Sequence, residues 1–300
     1  MISVGIFNGY FPYTLEESVK RIKALGFTAV QLDLSFKGMN LSFDSLNAEK
    51  CHFIRDYFRD ANLPIVAVSG YTNLVHPNLE RREENIRNLK TLLKFARDLG
   101  SPYVVSETGT FDTHSDWVYH NMNGTNEAYE TLCEIVTDLT KFAYDNGSVF
   151  LVENYVNNII GTVNQLLRLF SDVNHPALGL LMDPTNYFSD VNIDDVDGEL
   201  NRIFNALGDK IRVAHAKDCK RAENFAEKHA SIDADESHTF RGAGSVELPA
   251  PGLGILNYDL YLKRLSVLHP NIPVIIEHLD ESDIPRAKKF IDDKLKKAGC

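Results

Sequence analysis

Short runs rich in Val, Ile and Leu alternate along the whole chain with longer stretches in which apolar residues recur at three- and four-residue spacing. The short runs read as buried strands and the longer stretches as amphipathic helices. The first run is Ile2–Phe7. A helix over about 14–25 follows, with Thr14 as its cap, Glu17 three residues on and Gly26 as its stop. Next come Ala29–Leu34 with a helix over about 45–61, Ile65–Ser69 with a helix over 78–99, and Tyr103–Ser106 with a helix over 125–146. Four further runs, Val149–Glu153, Leu178–Asp183, Ile211–His215 and Pro273–Glu277, precede helices near 161–171, 195–207, 257–268 and 282–297. Eight strand–helix units in series imply a parallel sheet of the α/β class, and eight such units suggest closure into a (β/α)8 barrel. No Pro- or Ser-rich linker interrupts the series, so residues 1–300 are expected to form one domain.

The last four runs each end on a residue type that binds metals: Glu153, Asp183, His215 and Glu277. An unpaired charge inside a strand costs several kcal/mol, whereas the same group at the C-terminal mouth of a barrel is partly wet and can hold a cation. Consecutive strands lie side by side, so the four side chains are expected to converge. Three carboxylates and an imidazole, with no thiolate, favour Mn²⁺, with Co²⁺, Mg²⁺ or Zn²⁺ as other occupants. A metal holding a carbonyl and a neighbouring hydroxyl acidifies the intervening C–H and stabilises the enediolate that forms. Glu153 and Glu277, from the fifth and eighth strands, can then flank a substrate as a proton-removing and proton-returning pair. Asp183 and His215 are ligands only in this reading, with His215 neutral and held by an acceptor behind it.

Composition narrows the partner class. The chain has 31 basic and 42 acidic residues, a net charge of −11. That balance disfavours a nucleic-acid partner, which demands a basic face. Cys51, Cys133, Cys219 and Cys300 are widely spaced, so neither a disulfide framework nor a zinc finger is expected, and reduced thiols fit a cytoplasmic protein. The first basic residue is Lys20, so no signal peptide is expected, and no apolar run is long enough for a membrane span. Homo-oligomerisation is left open.

Five segments carry a family resemblance: Leu151-Val152-Glu153-Asn154, Leu181-Met182-Asp183-Pro184-Thr185-Asn186, Val213-Ala214-His215-Ala216-Lys217-Asp218, Pro251-Gly252-Leu253-Gly254 and Ile275-Ile276-Glu277-His278. The chain resembles, over essentially its whole length, the xylose isomerase-like TIM-barrel superfamily. Within it the chain is similar to the sugar phosphate isomerase/epimerase group, which includes ketose 3-epimerases and inosose dehydratases. The resemblance implies one divalent metal on Glu153, Asp183, His215 and Glu277, with the two glutamates as acid and base on opposite faces of a sugar carbon. It also implies that Arg221, six residues after His215, contacts substrate. Asn186 stands where some relatives have a histidine, Leu253 stands where an acidic residue is common, and the extra histidines of the multi-zinc abasic-site endonucleases are missing.

Further pocket candidates are Lys217, Glu107 at the end of the fourth strand, Asn186, Arg241 and Trp117. Tyr10 and Phe11 are expected to help wall a sugar, with His76 and His114 as weaker lining candidates. Asp218 reads as a strand-end salt bridge. The loops 107–124 and 218–256 are longer than a βα connection needs and are expected at the mouth. The leading expectation is a metal-dependent isomerase or epimerase acting on a small carbohydrate, phosphorylated or not. The alternatives are a dehydratase on a polyol ketone such as an inosose, a metal-dependent abasic-site endonuclease, and a sugar-binding barrel without activity.

Overall fold

The computed structural model describes residues 1–222 and 246–299. Its centre is a closed barrel of eight parallel strands. In chain order they are β1 (Ser3–Phe7), β2 (Ala29–Leu32), β3 (Ile65–Ser69), β4 (Tyr103–Glu107), β5 (Val149–Glu153), β6 (Leu178–Met182), β7 (Ile211–Ala216) and β10 (Pro273–Ile276). The intervening β8 (Lys220–Arg221) and β9 (Val246–Glu247) form a separate two-residue antiparallel pair. The barrel closes where β1 pairs with β10, Ser3 opposite Pro273 and Ile6 opposite Ile276.

Helices α1 (Leu15–Ala24), α2 (Ala48–Asp60), α3 (Leu79–Phe95), α4 (Asn126–Asp145), α5 (Val163–Val173) and α6 (Val196–Leu207) follow the first six strands, and helices Tyr258–Leu268 and Ile284–Ala298 flank β10. Thr14 caps α1 as expected, accepting from Glu17 N at 3.3 Å. The second helix begins later than the pattern suggests. Asn47 accepts from Lys50 N at 3.0 Å, and residues Phe43–Ser45 form a separate 3-10 turn. Strand β2 stops at Leu32 rather than Leu34, because Asn8 takes over the next rung. Its amide nitrogen donates to Asp33 O at 3.0 Å and its oxygen accepts from Asp33 N at 2.6 Å.

Two apolar layers explain why this barrel is stable and where its site lies. The larger lies between strands and helices and includes Ile6, Phe58, Leu132 and Leu262. The smaller fills the barrel itself: Ala67, Val105, Leu151, Leu181, Val213 and Ile275, all with no measurable exposure. Strand side chains alternate in direction, so the next inward residue lies two positions on. Those residues are Ser69, Glu107, Glu153, Asp183, His215 and Glu277. The apolar plug is therefore the floor of a polar layer. Truncating one of its leucines to alanine is expected to cost roughly 2–5 kcal/mol. Gly5 belongs to the same interior, where a Cβ would lie 2.5 Å from Ile275 Cδ1 and 2.8 Å from the Ala29 carbonyl oxygen.

Candidate active site

The polar layer collects Glu153, Asp183, His215 and Glu277 at the C-terminal mouth, all buried. His215 Nδ1 lies at their centre, 3.5 Å from Glu153 Oε1, 3.6 Å from Asp183 Oδ2 and 3.3 Å from Glu277 Oε2. Ligand atoms of Glu153, Asp183 and His215 all lie within 4.8 Å of one another. Asp183 turns Oδ1 into its own loop, accepting from Thr185 N at 2.8 Å and Thr185 Oγ1 at 2.7 Å. That leaves Oδ2 facing His215. His215 Nδ1 has no hydrogen-bond partner although it is fully buried, and the buried Asp183 Oδ2 has only the Lys217 ammonium within bonding distance, at 2.7 Å. Buried polar atoms are nearly always satisfied. An imidazole nitrogen that is not, aimed together with the Asp183 carboxylate oxygen at one point between two glutamates, fits a divalent cation with mixed O/N ligands.

Lys217 enters the cluster more deeply than its place in the sequence suggests. Its Nζ lies 2.7 Å from Asp183 Oδ2, 3.2 Å from Glu277 Oε2 and 4.0 Å from Glu153 Oε1. The mutual fields dominate the protonation states. Burial would raise the Asp183 pKa, but Lys217 and His215 beside it hold the carboxyl well below its usual range. Burial would lower that of His215, but the Glu277 and Glu153 carboxylates bring it up to about 10. Burial opposes the charge on Lys217 too, and Asp183, Glu277 and Glu153 hold its pKa well above normal.

The strand ends are fixed from behind. Tyr261 OH donates to His215 O at 2.8 Å and Tyr258 OH to Lys217 O at 2.6 Å, both from the helix after the long loop. Asp218 is not the salt bridge its sequence suggests. It accepts backbone N–H groups of Cys219, Gly252 and Leu256, each at 2.9 Å, and so pins the Pro251–Gly254 turn against the end of β7. A Cβ on Gly254 would collide with Asp218 Oδ1 and the Cys219 carbonyl, so this turn needs glycine. Glu277 N extends the β10 ladder by donating to Ala216 O at 3.1 Å. His278 then takes a left-handed φ of 59°, with its N–H donated to Tyr10 OH at 2.7 Å. Such a conformation in a non-glycine residue costs on the order of 1–3 kcal/mol and recurs at functional sites.

A cavity of about 370 Å³ opens above the cluster. Glu107, Trp117, Glu153, Lys217 and Glu277 line it, as does Tyr10. Trp117 is carried in by the 107–124 loop, which asparagines tie down: Asn157 Nδ2 donates to Trp117 O at 2.9 Å and Asn73 Nδ2 to Asp116 Oδ1 at 3.0 Å. Other candidates lie elsewhere. Arg221 is about half exposed and paired with Asp194 on the surface, outside the cavity lining. Asn186 is buried behind the site and donates to Glu153 Oε1 at 2.8 Å, so it orients the glutamate. Phe11 is in the core. His76 accepts from Asn78 N at 3.1 Å just before α3, and His114 lies in the outer part of its loop; neither lines the cavity. Arg241 lies outside the described residues. Cys51, Cys133 and Cys219 are free thiols.

Two residues in contact with the cluster carried no flag in the sequence. Gln31, on β2, accepts from His215 Nε2 at 2.8 Å. Tyr71, just beyond β3, donates to Glu153 Oε2 at 2.5 Å. Burial, with Glu153 and Glu277 nearby, pushes the Tyr71 phenol well above its ordinary pKa. A signal for Gln31 was available: it is the single polar residue in the run Ala29-Val30-Gln31-Leu32, at an inward position. Tyr71 had none, because it stands outside any strand.

Residues 19–294 match the family model of the xylose isomerase-like TIM barrel, and the chain belongs to that family. Solved structures agree on the fold. A xylose isomerase-like TIM barrel protein from Mycobacterium smegmatis in complex with magnesium shares 17% identity at a TM-score of 0.69, covering 98% of this chain and 95% of that one. An L-ribulose 3-epimerase shares 15% at 0.70, covering 100% and 96%. A probable 3-DHS dehydratase from Bacillus anthracis shares 14% at 0.69, covering 97% and 98%. A sequence search of curated proteins finds no match. Among the described residues no helix is long and apolar enough to cross a membrane.

Proposed function

We propose that the protein is a divalent-metal-dependent isomerase or epimerase acting on a small, uncharged sugar. The observation that carries this reading is the ring of three carboxylate oxygens within 3.6 Å of His215 Nδ1, at the floor of a sugar-sized cavity. Glu153, Asp183, His215 and Glu277 are the residues to hold the ion, Mn²⁺ by donor type. When bound, the ion supplies Lewis-acid polarisation of a substrate carbonyl. The remaining chemistry belongs to side chains. Glu153 ends β5 and Glu277 directly follows β10, with two strands between them, and both reach the cavity. One removes the proton beside the carbonyl and the other returns a proton to the carbon. Trp117 and Tyr10 offer aromatic faces to the sugar carbons.

Charge favours a substrate without phosphate or carboxylate. Among the described residues the cavity lining carries Glu107, Asp116, Glu153 and Glu277 against Lys217 alone. A bound divalent ion adds two positive charges and still leaves these residues net negative, so an anionic substrate gains no attraction from the lining as a whole. The same balance and the net charge of −11 set the chain against duplex DNA.

The test is incubation of the Mn²⁺-loaded enzyme with a panel of unphosphorylated ketoses in D2O. An epimer or aldose product carrying carbon-bound deuterium is expected. Products lacking one water would establish the dehydratase instead, and turnover confined to sugar phosphates would overturn the charge argument.

A further inference from the structure

We infer that Gln31 is a positioning residue that sets both the metal-facing nitrogen of His215 and the hydroxyl that holds Glu153. This rests on the metal-centre reading given above. The Gln31 carbonyl oxygen lies 2.8 Å from His215 Nε2, and its amide nitrogen lies 3.1 Å from Ser69 Oγ and 3.3 Å from Tyr71 OH. Tyr71 OH in turn reaches Glu153 Oε2 at 2.5 Å. One planar amide therefore touches both branches of the site, and its two ends are chemically distinct. The carbonyl end can only accept, so His215 carries hydrogen on Nε2 and directs Nδ1 at the carboxylates. The amino end can only donate, so it occupies a lone pair of the Tyr71 oxygen and turns that hydroxyl's hydrogen toward Glu153. Glu153 Oε1 accepts from Asn186 Nδ2 at 2.8 Å, so both of its oxygens are held from behind. Gln31 itself has no exposed surface. A buried amide whose acceptor and donors are all matched fixes an orientation, where an apolar side chain would fill the volume only.

The two ends make substitutions diverge. Gln31→Met keeps the shape and removes both contacts. Gln31→Glu keeps an acceptor for His215 Nε2–H and removes the donor to Tyr71. Tyr71→Phe cuts the second branch alone. Mn²⁺ affinity is read by titration. The His215 Nε2–H is read by proton–nitrogen NMR of the metal-free protein, where Nδ1 is protonated as well, and of the Zn²⁺-loaded protein, where it is not, and the Tyr71 environment is read by its ring carbon shift. Gln31→Met is expected to bind Mn²⁺ about 10–100-fold more weakly, the usual loss when the partner behind a ligating histidine is removed. Gln31→Glu is expected to bind within a fewfold of the parent while shifting the Tyr71 signal. Tyr71→Phe is expected to leave the His215 Nε2–H signal unchanged.

A space-filling role predicts the reverse order, with the Met variant normal and the buried extra carboxylate damaging. That order, or an unchanged His215 Nε2–H signal in Gln31→Met, overturns the inference. If Gln31→Met fails to fold, the comparison of Gln31→Glu with the parent decides by the same two signals. If the parent binds neither Mn²⁺ nor Zn²⁺, the metal centre itself is refuted. The Gln31 assignment is then judged on the His215 Nε2–H signal of the metal-free protein.

Discussion

Lys217 Nζ lies 2.7 Å from Asp183 Oδ2, and both side chains are almost wholly withdrawn from solvent. Three carboxylates share that ammonium with His215 as their counter-charges. Removing one partner from a buried charge cluster leaves the others uncompensated, which typically costs about 3–5 kcal/mol. Lys217→Met is therefore expected to lower the melting temperature of the metal-free protein sharply. The same change removes a positive charge next to the cation site, so Mn²⁺ should bind roughly tenfold more tightly. Melting curves with and without Mn²⁺ check both effects. An unchanged metal-free melting temperature would show that the lysine is not the counter-charge of the cluster.

Metal removal should separate Asp183 from its neighbours. Dialysis against a chelator is expected to abolish activity, with Mn²⁺ or Co²⁺ restoring it best. Asp183→Asn keeps the Oδ1 acceptor used by Thr185 and neutralises Oδ2. It should still fold, with a lower metal-free melting temperature because Lys217 loses its nearest partner, and bind metal far more weakly. In the parent, metal at 100 times its dissociation constant should add about 2.7 kcal/mol of stability. Full activity in a verified metal-free preparation would refute the dependence.

The pH dependence has a defined sign. In the metal-free protein His215 is raised to about 10, from an ordinary value of about 6.5. Its contribution to stability is complete below about 6.5 and is lost as pH rises through about 10. Asp183 acts at the other end. Its pKa is depressed, so its contribution is present above the ordinary carboxylate value of about 3.9 and is lost as pH falls toward the depressed one. Metal-free protein should thus melt lower at pH 10 than at pH 7. Ligation requires the neutral imidazole, so metal must displace the His215 proton. Mn²⁺ affinity should rise about tenfold per pH unit between roughly 6.5 and 8. Calorimetric titration in two buffers of different ionisation heat counts the protons released, and a count of zero would contradict the assignment.

The two glutamates are separable by isotope exchange. Glu277→Gln retains an amide oxygen beside His215 and so should keep part of the metal affinity. It should lose at least about two orders of magnitude in rate, the usual cost of removing a general base. It is still expected to allow exchange of substrate hydrogen with D2O by Glu153 without inversion. A ligand-only role predicts instead that activity falls no further than metal occupancy. Isomerisation without any solvent exchange would exclude the pair and point to a hydride shift, with Lys217 as the next residue to substitute.

Much of this protein is local, and local features are legible. Apolar runs of four to six residues, helical stretches stopped by Gly26 or Gly147 and the Thr14 cap depend on neighbours in the chain. The period-two alternation then dictates that a ligand-type residue two positions after Leu151, Leu181, Val213 or Ile275 stands at the mouth. Strand ends and the barrel follow from the same pattern. What the chain could not show on its own is contact between residues far apart in sequence. Gln31 meets His215 across 184 positions and Tyr71 meets Glu153 across 82. Arg221 is aligned with the site in sequence, yet Asp194 holds it on the surface. Asp218 is charged but is committed to backbone N–H groups, and Lys217 is drawn in because three carboxylates need a cation. Residue type and spacing determined which groups could reach the mouth. Barrel closure, by bringing the C-terminal ends of β2 and β3 round to one mouth with those of β5 and β7, decided which atoms hold them there.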